Sequence, residues 1–201
     1  MCSFCVIPFA RGRSRYREYS NLLKEAHFLV KEGAREIVIT GVNIGTYKND
    51  NFNFVNVVDS LNSIEGLDRI RISSIEPTTV PKILLEYMRD SQHKLVPYFH
   101  LPLQSGSDNI LKKMNRRYSS SEFSEEIWKA YDAVPDICLG TDVMVGFPEE
   151  DETDRRGAGD HRQARGGEAH RPVGQRHHLS SRRGWQPSVP RSPVSHEQPA
   201  T

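Results

Sequence analysis

Apolar positions along most of the chain alternate between a helical and an extended period. Leu22, Leu23, Ala26, Leu29 and Val30 lie at helical spacing, so a helix is predicted that Ser20 caps and Gly33 stops. The β-branched run Glu36–Thr40 then reads as a strand ending at Gly41. Phe54, Val55, Val58 and Leu61 predict a second helix closed by Gly66, and Arg69–Ser73 a second strand. A third helix is expected to begin near Pro81 and to bury Ile83, Leu84, Tyr87 and Met88. The strand Tyr98–Leu101 leads to a short helix with Ile110, Leu111 and Met114, capped by Asp108. Ser119 and Glu122 have capping-box spacing and open a longer helix through Phe123, Ile127 and Tyr131. A last strand is predicted from about Ile137 to Val145. Strands that alternate with crossover-length helices indicate a parallel α/β architecture. In that architecture, ligands bind beyond the C-terminal ends of the strands, where this chain places its polar and Gly-rich clusters.

The pattern stops near Asp154. Residues 155–201 are rich in Arg, Gly, His, Pro and Ser and carry no periodicity. Too little apolar surface is available there to offset ordering entropy, so a disordered tail is expected after a folded unit of residues 1–154. Charge divides at the same place. Residues 1–154 hold 18 Lys and Arg against 23 Asp and Glu, and the tail 9 Arg against 3 acids, with no Lys. The tail's composition reads as a shifted reading frame or an aberrant gene end. As a functional segment it would be a non-specific RNA binder. The adjacent His177 and His178 are read as accidental neighbours.

Three cysteines without a signal peptide argue against a disulfide framework and for a reducing, cytoplasmic setting. No apolar run reaches membrane-spanning length, so no membrane partner is expected. Cys138 lies in an apolar segment and is expected to be buried. Cys2 and Cys5, separated by two residues, can turn both sulfurs toward one metal. The spacing alone suits half a zinc site, a redox pair, part of an iron–sulfur site, or two ordinary cysteines. Arg11, Arg13, Arg15 and Arg17 follow, either as a solvated basic loop or as contacts for phosphate or carboxylate.

The stretch Met1–Arg15, MCSFCVIPFARGRSR, closely resembles the cluster loop of the radical S-adenosylmethionine (SAM) methylthiotransferases. The family pattern is C-x-x-x-C-x-x-C followed by I-P-x-x-R-G. Cys2 and Cys5 match its second and third cysteines, and the first would fall before Met1. Five further segments match in order: Thr40–Tyr47, Ser73–Pro77, His100–Ser107, Met114–Tyr118 and Gly140–Pro148. Glu149 departs from the pattern, standing where the family usually has Gly.

The resemblance covers residues 1–154 and implies an incomplete TIM-type (β/α) radical SAM barrel. It also implies a [4Fe-4S] cluster with Cys2 and Cys5 as metal ligands, SAM as cofactor and an external electron donor. The activity implied is methylthiolation of an adenosine in the tRNA anticodon loop. The segment TGVNIGTY resembles the branch acting on threonylcarbamoyladenosine; the sister branch acts on isopentenyladenosine. Gly41 and Gly106 would allow close backbone approach to SAM, and Asn43, Glu76 and Gln104 would hydrogen-bond it. Each of the last three also reads as a loop cap or turn residue. Asp142 reads first as an acid ordering a strand end. With one cysteine and the flanking domains of the family absent, a truncated chain with impaired activity is expected. The alternative is a non-enzymatic metal- or RNA-binding remnant.

Overall fold

The computed structural model describes residues 2–157. The expected disordered tail, with His177 and His178, lies outside the described residues apart from the last turn of one helix. The elements in order are α1 (Ile7–Arg11), α2 (Tyr19–Lys31), β1 (Glu36–Ile39), β2 (Lys48–Asn49), β3 (Phe52–Asn53), α3 (Phe54–Asn62), β4 (Arg69–Ile72), α4 (Ile83–Arg89), β5 (Tyr98–His100), α5 (Asp108–Lys113), α6 (Ser120–Ala133), β6 (Cys138–Gly140) and α7 (Glu152–Gly157). Short 3-10 turns cover Ile44–Thr46 and Pro77–Thr79.

β1 pairs in parallel with β4, Glu36 opposite Arg69 and Ile39 opposite Ile72. β5 pairs in parallel with β6, Tyr98 opposite Cys138 and His100 opposite Gly140. Isolated parallel bridges, Ile70 to Leu95 and Ser74 to His100, join the two pairs. The α/β reading therefore holds, with parallel strands separated by helices. Among the described residues the sheet is not closed.

Strand alternation divides the sheet into two faces. Ile70, Ile72 and Phe99 are buried, and they pack with Val57, Val58, Leu61 and Leu84 of the helices in one apolar core. The opposite face carries Glu36, Arg69, Arg71, Tyr98 and His100. Glu36 bridges Arg69 at 2.7 Å and Arg71 at 2.9 Å, and Arg71 lies 5.2 Å over the Tyr98 ring. Both arginines hold the Glu36 carboxyl below its ordinary pKa.

Several local expectations change. Ser20 lies inside α2, whose N-cap is Glu18, and its hydroxyl donates to the Glu18 carboxylate at 2.5 Å. Ser107, not Asp108, caps α5 by accepting from the Ile110 amide, while Asp108 accepts from Ser120 N–H across the loop. α4 starts at Ile83, with Pro81 before it. Cys138 is exposed, because strand parity puts it on the open face beside Tyr98. The capping box of α6 forms as predicted, and Asn53 with Asn56 makes a second one on α3.

Candidate functional site

The polar loops following the strands converge at one end of the sheet. The cluster loop reaches this end through a small set of bonds. The Cys5 amide donates to the Cys2 carbonyl at 3.2 Å, which closes a tight turn carrying both half-buried cysteines. Ser3 anchors that turn to the end of α5: its amide donates to the Met114 carbonyl at 3.0 Å and its hydroxyl to the Lys113 carbonyl at 2.9 Å. Phe4 meets Phe147 edge-on, with centroids 6.5 Å apart.

α5 ends in a way that creates the centre of the site. Asn115 adopts φ 57, a left-handed conformation that asparagine tolerates. Its amide bonds the Lys112 carbonyl, and the Arg116 amide bonds the Leu111 carbonyl at 2.9 Å. This paired pattern is a Schellman motif, and it sends the next residues back under the strand ends. Arg116 is the result, with a side chain only 6% exposed. Its Nη1 donates to Cys2 Sγ at 3.0 Å, and its Nη2 meets the Glu76 carboxylate at 2.9 Å. Nε and Nη2 both donate to the Tyr118 hydroxyl, at 2.8 and 2.6 Å. That hydroxyl in turn donates to the carbonyls of Pro102 and Leu103, at 2.7 and 3.1 Å.

Burial works against the Arg116 charge, but its bonds to Cys2 and Tyr118 and the nearby Glu76 outweigh it and hold the guanidinium above its ordinary pKa. Burial pushes the Tyr118 hydroxyl up to about 12, despite the opposing pull of Arg116. Sequence reasoning assigned neither residue a role. The signal was present as Arg116-Arg117-Tyr118 directly behind a helix end, but only the turn at Asn115 shows which arginine goes inward.

The residues expected to contact a ligand stand in three neighbouring loops. Gly41 and Asn43 follow β1. The Asn43 side chain accepts from Thr79 Oγ1 at 3.4 Å, and Thr79 also donates to the Glu76 carbonyl at 3.0 Å, so the first two loops are linked. The Asn43 carbonyl takes the Thr46 hydroxyl at 2.9 Å, in keeping with a loop-cap role. A Cβ on Gly41 would stand 2.7 Å from Ile44 Cγ2, so the close approach met there is the chain's own side chain.

Gln104 and buried Gly106 follow β5. Gln104 has φ 72, left-handed for a residue other than glycine. Two backbone bonds hold it there, from its amide to the Asp142 carbonyl and from the Met144 amide to its carbonyl, both 2.8 Å. On the same rim His100 Nε2 lies 3.3 Å from Asp142, and its Nδ1 is 2.8 Å from Ser74 Oγ. Asp142 therefore pairs a side chain as well as ordering a strand end.

The arginine loop is not drawn into this cluster. Arg11, Arg13, Arg15 and Arg17 are all exposed, and Arg17 pairs with Glu25 and donates to Asn21 on α2. Among the described residues no group of three Cys, His, Asp or Glu could hold a metal. In kind, the donor set suits an iron–sulfur cluster: two soft sulfurs on one turn with a buried cation beside them. In number, it supplies two ligands.

Comparison with known proteins agrees with this geometry. Residues 1–160 match the radical SAM superfamily. A tRNA-2-methylthio-N(6)-dimethylallyladenosine synthase of Thermodesulfovibrio yellowstonii is 39% identical over 153 residues, 76% of this chain and 35% of that protein. The threonylcarbamoyladenosine tRNA methylthiotransferase MtaB of Bacillus subtilis is 41% identical over 154 residues, 75% of this chain and 34% of that protein. MtaB of Chlamydia pneumoniae is likewise 41% identical, over 153 residues, 76% of this chain and 36% of that protein. The chain thus spans about a third of the length of these relatives, and both kinds of tRNA methylthiotransferase match it to a similar degree. No helix among the described residues is long and apolar enough to cross a membrane. With Cys2, Glu76 and the Pro102 carbonyl gathered around Arg116 at the strand ends, this chain belongs to the radical SAM superfamily.

Proposed function

We propose that the chain is part of the core of a [4Fe-4S]- and SAM-dependent tRNA methylthiotransferase, built on a partial TIM-type barrel. The observation that carries the reading is the meeting of Cys2 and Glu76 on one buried guanidinium at the C-terminal ends of parallel strands. Cys2 and Cys5 would hold two irons of the cluster. When bound and reduced, the cluster supplies the electron that cleaves SAM to methionine and a 5′-deoxyadenosyl radical.

The chain's own part is binding and placement. Glu76, an acceptor-only carboxylate, suits the amino group of SAM. Gln104 and Asn43 offer an amide donor and acceptor each to its polar atoms. Gly106 leaves its loop free of a side chain beside them. The exposed run Arg11 to Arg17 suits the phosphates of an RNA loop. The segment Thr40–Tyr47 favours threonylcarbamoyladenosine as the tRNA base acted on, with the dimethylallyl form of adenosine as the second reading, supported by the Thermodesulfovibrio relative.

Anaerobic reconstitution of the chain with iron and sulfide tests the reading. About four irons and four sulfides per chain, with an optical change on adding SAM, is the expected result. Zinc or no metal, with a spectrum indifferent to SAM, would overturn it in favour of a non-enzymatic remnant. Mass spectrometry of tRNA from cells expressing the chain would separate the two adenosine forms.

A further inference from the structure

Arg116 has more donors than the fold requires. Tyr118, Glu76 and the Pro102 carbonyl, the last at 3.3 Å, occupy Nε and Nη2, and they suffice to join the loops after β4 and β5 to the end of α5. Nη1 is directed instead at Cys2 Sγ. A guanidinium can do this because its fork presents donors in fixed, diverging directions, which a lysine ammonium cannot reproduce. The bond crosses 114 positions of sequence and ties the cysteine turn to the Glu76 loop through one rigid plane.

We propose that Arg116 is a positioning residue: it fixes the Cys2 sulfur relative to the Glu76 carboxylate and, through its N–H donor and positive charge, sets the reduction potential of a cluster bound at Cys2. The proposal rests on the reading of Cys2 and Cys5 as cluster ligands. The direction follows from electrostatics. Hydrogen bonds and positive charge at a cluster sulfur favour the more negative, reduced form and raise its potential. Without Arg116 the cluster becomes harder to reduce and is held less firmly.

The test compares the full chain with Arg116→Met and Arg116→Lys after anaerobic reconstitution. Readouts are iron and sulfide retained, the resonance spectrum of the reduced cluster and its midpoint potential. The expected result is a lower potential in Arg116→Met, about a tenfold loss in cluster retention, and partial rescue by Arg116→Lys, which keeps the charge but not the fork. An unchanged potential and spectrum in Arg116→Met would overturn the proposal. If that variant fails to fold, Arg116→Lys decides it: a potential, spectrum and cluster retention equal to those of the unsubstituted chain would overturn the proposal, and an intermediate loss would support it.

If the unsubstituted chain takes up no cluster, the reading under Proposed function has failed. The positioning claim is then decided on the metal-free chain by hydrogen exchange. Faster exchange confined to residues 2–5 and 74–79 in Arg116→Met supports it, and unchanged exchange in both segments refutes it.

Discussion

α1 and α3 are both short helices, yet they stand in the molecule in opposite ways. α3 buries Phe54, Val57, Val58 and Leu61 and carries a complete capping box. α1 buries nothing, and Phe9 at its centre is 83% exposed. The first belongs to a scaffold fixed by apolar packing. The second belongs to a loop placed by a few polar bonds at its start: Ser3 to α5, Cys2 to Arg116, and one aromatic edge. Stability and chemistry are therefore assigned to different parts of the chain, and each can be perturbed with little effect on the other.

The largest expected effect tests the scaffold half. Leu61→Ala leaves a cavity in the core and should lower stability by about 2–5 kcal/mol, measured by urea unfolding. Its counterpart Phe9→Ala should fall within about 0.5 kcal/mol. A loss of several kcal/mol from Phe9→Ala would show that α1 is packed, and the comparison would fail.

Tyr118 lies where the two regions meet. Tyr118→Phe removes the hydroxyl that receives Arg116 and serves the carbonyls of half-buried Pro102 and buried Leu103, so a loss of about 1–3 kcal/mol is expected. The same residue predicts a pH dependence. Its folded-state pKa, about 12, lies above the unfolded value near 10. The folded state thus holds this proton more tightly, and the resulting stability is fully present below about pH 10. It is lost as pH rises through about 12. Urea midpoints measured across this range should fall more steeply in the unsubstituted chain than in Tyr118→Phe. Parallel curves would mean that the hydroxyl is solvated.

The same division explains what could be read from the sequence. α2, α3 and α6 follow from apolar spacing, because burial of one face imposes the helical period on the sequence itself. The caps fall one or two residues before Asp108 and Ser20: Ser107 and Asp108 both offer an oxygen and the backbone turn selects Ser107, while the N-cap Glu18 of α2 makes no side-chain cap bond. The β2–β3 hairpin has no signal in the sequence, because two-residue strands carry no period. Cys138 is exposed although it lies in an apolar run, because such a run does not state which strand face each residue shows. Cys2 and Glu76 are legible as motif positions, but their common partner Arg116 is not. Arg116 is buried because Asn115 turns the chain, and no periodicity encodes that.

The smallest effects concern two residues held in the conformation that glycine prefers. Gln104 (φ 72) lies in the rim of the site, and Glu149 (φ 65) lies outside it, paired with Lys113 at 2.9 Å. Left-handed backbone costs a side-chain-bearing residue about 1–2 kcal/mol, of which the freer unfolded chain of a glycine variant returns part to the unfolded state. Gln104→Gly should therefore stabilise the chain, by about 0.5–1 kcal/mol, while weakening SAM binding in calorimetry. Glu149→Gly should raise the urea midpoint and leave SAM binding unchanged, since its ion pair is solvent-exposed and weak. The informative difference lies in the second readout. Gln104→Gly keeps the two backbone bonds to Asp142 and Met144 and removes only the side-chain amide that the proposed function directs at SAM, whereas Glu149→Gly removes an exposed ion pair with Lys113. If Gln104→Gly bound SAM as well as the unsubstituted chain does, the left-handed residue would be a turn fixed by its backbone alone, and its side chain would belong with the scaffold rather than with the chemistry.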